Sequence, residues 1–293
     1  MMYSVIIPNL NSGVIHRTLE ALEQQAATGV EAEVIVVGVD SPRLVRPSRL
    51  VRFIDTGSAV TASVARNIGI ERASGEVLCF LDADCVPRPG WLDGLVASFR
   101  DPAVSVLGGG VDSCLPGYWE RCEHVGYFHE YLVTAPPGTR SQLPSLNLAV
   151  RRSALEGVGV FDVNNPYTED SDLTTRLRLA GHTLWFDPLL AVEHWPDRAN
   201  ARAVLCHSFR HGSCSIKVNR RWWPVLHPPF VLRHAALLLA AAPFLSLVVT
   251  ARIFTADASL ARDLQTVPGV FLMKLAWCMG AAHTLAMGSS TSR

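Results

Sequence analysis

The apolar run Val77-Leu78-Cys79-Phe80-Leu81 ends abruptly in Asp82-Ala83-Asp84. It reads as a strand that leaves the core and enters solvent at two carboxylates. Side chains alternate across a strand, so Asp82 and Asp84 are expected to share a face at its end. Two hard oxygen donors there suit a divalent cation, and such sites complete their shell with water and the phosphate oxygens of a ligand. The pattern therefore points to a metal-bound phosphate ester.

The residues before this run have a strand-helix-strand rhythm. Residues 4–8 form a short apolar strand that runs into Asn9-Leu10-Asn11-Ser12-Gly13, and a helical pattern with Leu19 and Leu22 follows. A second strand over 33–37 ends at Gly38-Val39-Asp40-Ser41, a third is expected over 51–54, a helix over 61–72 and the acidic strand over 76–81. An open parallel sheet binds ligands beyond the carboxyl ends of its strands, which is where Pro8, Asp40 and Asp82 emerge. Residues 108–148 are rich in Gly, Pro and aromatics and read as irregular. A strand over 147–150, a short helix from an Ser153 N-cap, a helix opened by Thr168-Glu169-Asp170-Ser171-Asp172 and two further strand pieces, 184–186 and 192–195, complete this part.

Charge and composition exclude some partners. Lys plus Arg number 26 and Asp plus Glu 26, so nothing favours a nucleic acid, which is held by an excess of basic groups. Seven cysteines form no CxxC pair, and no signal peptide is evident, so they are expected to be free thiols in a reducing cytosol. The mean hydropathy of +0.22 is high for a soluble enzyme, and the excess sits at the C-terminal end. Residues 235–251 carry no charge and are interrupted only by Pro243, and 267–287 are apolar apart from Lys274 and His283. Lys217, Arg220 and Arg221 beside Trp222 and Trp223 match a basic flank with interfacial aromatics. The expectation is a catalytic domain over 1–221 and a membrane-associated helical hairpin over 222–293, with the catalytic part on the cytoplasmic face.

Further motifs give the chain a family. Ser4-Val5-Ile6-Ile7-Pro8, Ala65-Arg66-Asn67-Ile68-Gly69, Leu81-Asp82-Ala83-Asp84, Asn147-Leu148-Ala149-Val150, Glu169-Asp170-Ser171-Asp172-Leu173 and the isolated His194 occur in the order found in inverting glycosyltransferases of family 2. The resemblance covers roughly residues 4–221. It implies an α/β, GT-A (nucleotide-diphospho-sugar transferase, Rossmann-like) fold with a mixed sheet flanked by helices. It also implies Asp84 and His194 as ligands to Mn²⁺ or Mg²⁺, the imidazole tilting the choice toward manganese, and Asp170 as the base that deprotonates the acceptor hydroxyl. Pro8, Asn9, Asp40, Arg66, Asp82, Asn147, Glu169 and Arg210 fall on the side of the nucleotide-sugar donor; Arg66 is expected to face the diphosphate and Asn147 to reach sugar hydroxyls. The QxxRW signature of processive synthases is absent, so one sugar per encounter is implied, with a lipid-linked or cell-envelope glycan as acceptor. Gly38-Val39-Asp40-Ser41 stands where the family commonly has Asp-Asp-Gly-Ser, which leaves the nucleotide open, with UDP as default.

Three other readings use the same residues. A nucleotidyltransferase would carry a basic loop after the first strand, yet no Lys or Arg occurs there before Arg17. A non-catalytic sugar- or nucleotide-binding subunit would have no need of both metal carboxylates and a base. A dinucleotide-dependent dehydrogenase would need a GxGxxG after the first strand, and there is none.

Overall fold

Parallel pairing of four short apolar strands sets the frame of the first half of the chain. In the structure, a computed structural model describing residues 1–27, 29–113 and 115–290, β1 (Tyr3–Leu10) lies between β2 (Ala32–Val39) and β4 (Val77–Leu81), and β3 (Val51–Asp55) pairs with the outer side of β2. The crossovers are α1 (Ile15–Ala26) and α2 (Ala62–Arg72). The α2 N-terminus is capped by Thr61, whose hydroxyl accepts from the Val64 N–H. Ile6, Ile7, Ile35, Val36, Leu78 and Phe80 are all fully buried.

Beyond β4 the sheet becomes mixed. Its order is β3-β2-β1-β4-β8-β6-β9-β5, with the two-residue β7 (Gly138–Thr139) on β9. β8 (Asn147–Arg151) runs antiparallel to both β4 and β6 (Val106–Ser113), while β9 (Leu184–His194) is parallel to β6 and antiparallel to β5 (Cys85–Pro87). α3 (Trp91–Ser98) follows β5, α5 (Arg152–Val158) follows β8 and α6 (Glu169–Leu179) precedes β9. The expected mixed sheet flanked by helices is thus what forms.

Three expectations need correction. Residues 108–148, read as irregular, contain most of β6, β7 and the helix α4 (Tyr118–Phe128). The run Gly108-Gly109-Gly110 looks like a loop signal but serves close packing. A Cβ on Gly109 would sit 2.0 Å from the Leu190 carbonyl oxygen, and one on Gly110 2.5 Å from that of Pro188. The two strand pieces near 184–195 form one continuous β9, irregular against β6 between Gly109 and Val111. The expected N-cap at Ser153 is not used, since α5 starts at Arg152 and has no side-chain cap.

The chain divides into two compact units. The first comprises residues 1–114 and 131–195, the second 115–130 and 196–293, so α4 and the basic segment group with the C-terminal helices rather than with the sheet. The basic segment is the helix α7 (Ala201–Arg221), capped by Asn200, which accepts from the Ala203 N–H at 3.0 Å. The short α8 (Trp223–Leu226), α9 (Ala235–Ala256) and α10 (Val267–Ser290) follow, with 3₁₀ segments at Phe230–Arg233 and Ala258–Thr266. Ile216 of α7, Leu238 and Ala242 of α9, and Cys278, Ala281 and Ala282 of α10 form one buried cluster. Ion pairs Arg198–Glu123 at 2.6 Å and Arg121–Asp263 at 2.5 Å tie α4 into this unit. Segments Ala235–Ala256 and Ala258–Met287 are long and apolar enough to cross a membrane by length and composition.

Gly109→Ala should destabilise the sheet by about 1–3 kcal/mol, the usual cost of inserting a methyl into a filled core. Thermal unfolding of the variant checks this, and an unchanged melting temperature would mean the glycine run is not a packing requirement.

Candidate active site at the sheet's carboxyl edge

The Asp82-Ala83-Asp84 segment does not continue the strand. β4 stops at Leu81 and the three residues form a turn closed by the Cys85 N–H donating to the Asp82 carbonyl at 3.0 Å. Hydroxyls of Ser12 and Thr18 donate to the Ala83 carbonyl at 3.1 and 3.4 Å, fixing the turn from the α1 side. The two carboxylates therefore do not share a strand face as expected, because the turn sends them to different partners.

Asp84 goes to His194. Pairing of Cys85 with His194 in the β5–β9 ladder, and the Trp195 N–H donating to the Asp84 carbonyl at 2.8 Å, bring two segments more than a hundred residues apart into register. His194 Nε2 lies 3.6 Å from Asp84 Oδ2, and Cys85 Sγ completes a cluster whose ligand atoms fall within 4.8 Å. Burial, reinforced by the charges of Asp84 and Asp82, pushes the Cys85 thiol well up, and its soft sulfur is a poorer match than carboxylate or imidazole to Mg²⁺ or Mn²⁺. What remains is one carboxylate oxygen and one imidazole nitrogen at a separation that two ligands of one cation can adopt. That donor pair fits a divalent cation of borderline character whose other positions are filled by solvent or a ligand.

Asp82 goes to Arg66. The Arg66 guanidinium, 2 % exposed, donates from Nη2 to Asp82 Oδ1 at 2.6 Å and from Nη1 to Glu169 Oε1 at 2.7 Å. One buried cation thus links α2, the acidic turn and the first turn of α6. Burial pushes the Asp82 carboxyl up and Asp84 adds to the effect, while Arg66 pulls the other way. Arg66 was expected to face a diphosphate; here its two terminal nitrogens donate to the two carboxylates, while its buried Nε has no hydrogen-bond partner among the described residues.

Asp170 sits beside this triad at the start of α6. Its Oδ1 accepts from its neighbour Ser171 N–H at 2.7 Å and its Oδ2 from the Ser145 N–H at 3.2 Å. Burial, with the Glu169 carboxylate adding to it, pushes the Asp170 carboxyl up to about 6. A carboxylate with that affinity for protons is a better general base near neutrality than an ordinary aspartate, yet is still mostly ionised at pH 7.

The remaining expected residues divide. Asn9 is buried, its side chain bonded to the Val39 carbonyl and the Ser12 N–H, which shapes the loop after β1; Pro8 precedes it at the strand end. Gly38, at φ +140°, lets β2 pass Asn9, since a Cβ there would lie 1.9 Å from the Asn9 carbonyl oxygen. Asp40 Oδ2 accepts from the Val45 N–H at 2.7 Å, whereas its buried Oδ1 has no hydrogen-bond partner among the described residues. Asn147 needs correction. Its amide is consumed internally, accepting from Trp91 Nε1 at 3.0 Å and donating to the Gly110 and Leu190 carbonyls, so it locks β6, β8 and β9 together and offers nothing to a sugar. Arg210 is an exposed residue of α7 in the second unit.

Sequence reasoning missed the Arg66 triad, the hydroxyl pair on Ala83 and the stacking of Arg17 over the Trp195 ring at 4.6 Å. These contacts join residues 16 to 178 positions apart, and no local spacing signals them. The motif clusters around Arg66 and Glu169 were the one pointer available.

A mixed sheet of this order, with an acidic turn and a histidine at the ends of its strands, defines a GT-A-type nucleotide-sugar transferase fold. The profile of glycosyl transferase family 2 matches residues 4–157, just over half of the chain, and the chain belongs to that family. It is 33 % identical over 45 % of its length to the pre-mycofactocin glycosyltransferase of Mycobacterium tuberculosis, covering 29 % of that protein. It is 30 % identical over 62 % of its length to the glycosyltransferase AglE of Haloferax volcanii, covering 63 % of it. The chain thus spans less than two thirds of either relative. The mannosyltransferase PcManGT from Pyrobaculum calidifontis, solved with GDP-Man and Mn²⁺, superimposes with a TM-score of 0.63 at 20 % identity over 98 % of this chain and 87 % of that one. GalNAc-T7, solved with UDP, GalNAc and Mn²⁺, gives 0.54 at 16 % identity over 76 % and 49 %. At these identities the likeness is one of fold.

Arg66→Met should cost about 3–5 kcal/mol of stability, since it leaves Glu169 and Asp82 without their shared cation. Urea denaturation at neutral pH measures it, and a loss below about 1 kcal/mol would mean that solvent already screens the triad.

Proposed function

We propose that this protein is a metal-dependent, inverting glycosyltransferase that moves one sugar from a nucleotide-diphospho-sugar to an acceptor hydroxyl. The observation that carries the reading is the continuous line of contacts from the metal candidate to the base. Asp84 and Asp82 belong to one turn, Asp82 and Glu169 share Arg66, and Glu169 adjoins Asp170.

Asp170 takes the proton from the acceptor oxygen as that oxygen attacks the anomeric carbon opposite the leaving diphosphate. The Ser145 and Ser171 N–H groups hold the carboxylate in orientation, and burial keeps it basic. Asp84 and His194 would hold the divalent cation, with Mn²⁺ favoured by the imidazole. Such a cation, when bound, neutralises the departing diphosphate. Asp82 and Glu169, fixed by Arg66, set the position of the acidic turn and of the base relative to each other. Asp40, with one carboxylate oxygen unpartnered, is the group we assign to the nucleotide, UDP by default. Pro8 and Asn9 line the same strand-end edge. The acceptor we assign is a lipid-linked or cell-envelope glycan, presented at the cytoplasmic face of a membrane on which the C-terminal helices rest.

Asp170→Asn should lower transfer by about 10²–10⁴-fold, the usual contribution of a general base, while binding of nucleotide with Mn²⁺ is retained. Wild-type kcat/KM should rise with pH through an apparent pKa of about 6. The same shift gives a sign for stability. The folded pKa of Asp170 lies above the unfolded one, so its contribution is full below the unfolded pKa of about 4 and is lost as pH rises through about 6. The Asn variant should therefore gain in melting temperature over the wild type between those values and keep the gain at pH 7. Unchanged turnover in Asp170→Asn would remove Asp170 from the mechanism.

A further inference from the structure

The helix α9 carries its polarity inside out. Its buried stripe is Leu238, Ala242, Ser246, Thr250 and Ile253, which includes two hydroxyl side chains. Its outer residues include Leu239, Phe244 and Leu247, exposed by 52, 68 and 60 %. A helix lying against water has the opposite arrangement, and a continuous exposed apolar strip marks a surface that something apolar covers.

The charges around the strip say what covers it. Between residues 198 and 256 there are eight Lys and Arg and no Asp or Glu. Before α9, Arg221 stacks on Trp222 at 5.4 Å, and Arg233 stacks on Trp223 at 4.1 Å and lies 5.9 Å from Phe230. After its apolar stretch, Arg252 is exposed, and Arg262, also exposed, lies 3.5 Å from the Asp263 carboxylate. Arginine on aromatic rings at the N-terminal edge of an apolar strip, in a stretch with no Asp or Glu before Asp257, complements an anionic lipid surface.

A transbilayer placement conflicts with how α10 is packed. A Cβ on Gly212 of α7 would come within 2.0 Å of the Trp277 carbonyl oxygen, and one on Gly280 of α10 within 1.9 Å of that of Phe209. Ser213 Oγ donates to the Gly280 carbonyl at 3.0 Å. The two helices are in backbone contact at the middle of α10, and α7 exposes Arg210 and Lys217 within a turn or two of that point. Lys274 of α10 also donates to the Gly126 carbonyl of α4 at 2.6 Å. Threading α10 through hydrocarbon would take charged α7 with it, at a large cost for each charge.

We infer that α9 lies along one leaflet of an anionic bilayer, its Phe244 and Leu247 face in the acyl region, and that neither C-terminal helix crosses. This rests on the membrane association in the proposed function and adds the mode, which is monotopic.

The test uses the full chain added to sealed, preformed vesicles of phosphatidylcholine with and without phosphatidylglycerol. Flotation with the anionic vesicles is expected, and the exposed-site double variant Phe244→Arg/Leu247→Arg should lower the bound fraction about tenfold or more with an unchanged melting temperature. Trypsin added outside should then cut after Arg233 and after Arg262 at rates that vesicle lysis leaves unchanged. A wild type that does not float overturns membrane association itself, as does a concentration-dependent dimer that the double variant abolishes. Flotation with one of the two cuts made only after lysis leaves association standing and overturns the in-plane mode. Equal flotation of the double variant overturns α9 as the contact.

Discussion

The buried guanidinium of Arg66 is the constraint on which the site depends. It reaches Asp82 and Glu169 at hydrogen-bond distance from a helix that follows β3, and it thereby relates the turn after β4 to the start of α6. Neither carboxylate is freely placed without it. Glu169 is 7 % exposed, and an unpaired charge at that depth would be driven to protonate or to pull the helix terminus toward solvent. The ion pairs need not add net stability, since desolvation offsets much of the Coulombic gain, but they permit only one arrangement of the three elements. A site that must hold a cation at one end and a base at the other benefits from that uniqueness more than from added stability.

The same triad explains why the two aspartates of one motif behave differently. Asp82 is spoken for by Arg66, which leaves Asp84 facing His194 across the β5–β9 pairing. The ladder between Cys85 and His194 is thus a functional connection as much as a structural one. Its precondition is the tight glycine run of β6, because β9 can approach only where Gly109 and Gly110 carry no side chain. Asn147 secures that approach by bonding to Gly110 and Leu190 together. Packing in the middle of the sheet therefore reaches into the geometry of the cation site at its end.

Much of this was legible in the sequence, and the parts that were not share a cause. The strands of the βαβ half were read to within a residue or two because their apolar runs are bounded by turn residues, and Asp84, His194 and Asp170 were picked out by motif order. The region from 108 to 148 was misread because glycine has two meanings. In β6 it marks close approach of backbones, and only the opposing carbonyls of Pro188 and Leu190, some eighty residues away, reveal which meaning applies. Asn147 was misassigned for the same reason: its hydrogen-bonding capacity was evident, but the partners that exhaust it lie on other strands. Alternation along a strand predicted a shared face for Asp82 and Asp84, and failed because the strand ends at Leu81, three residues short of Asp84.

The C-terminal helices show where hydropathy stops being informative. Residues 235–256 and 258–287 pass a length-and-composition test for spanning a membrane, and a one-dimensional profile has no means of registering that α10 is in backbone contact with a charged helix. Whether an apolar helix spans or lies flat is decided by what is packed against it. Here the outward face of α9 is apolar while its inward face carries Ser246 and Thr250, and α10 packs against α7, α9 and α4. Hydrocarbon would cover the outward Phe244 and Leu247, while the inward face packs on Ile216, Ala281 and Ala282 and is apolar around its two hydroxyls. Water would leave the outward face uncovered, and hydrocarbon on both sides would have to accommodate the exposed arginines of α7.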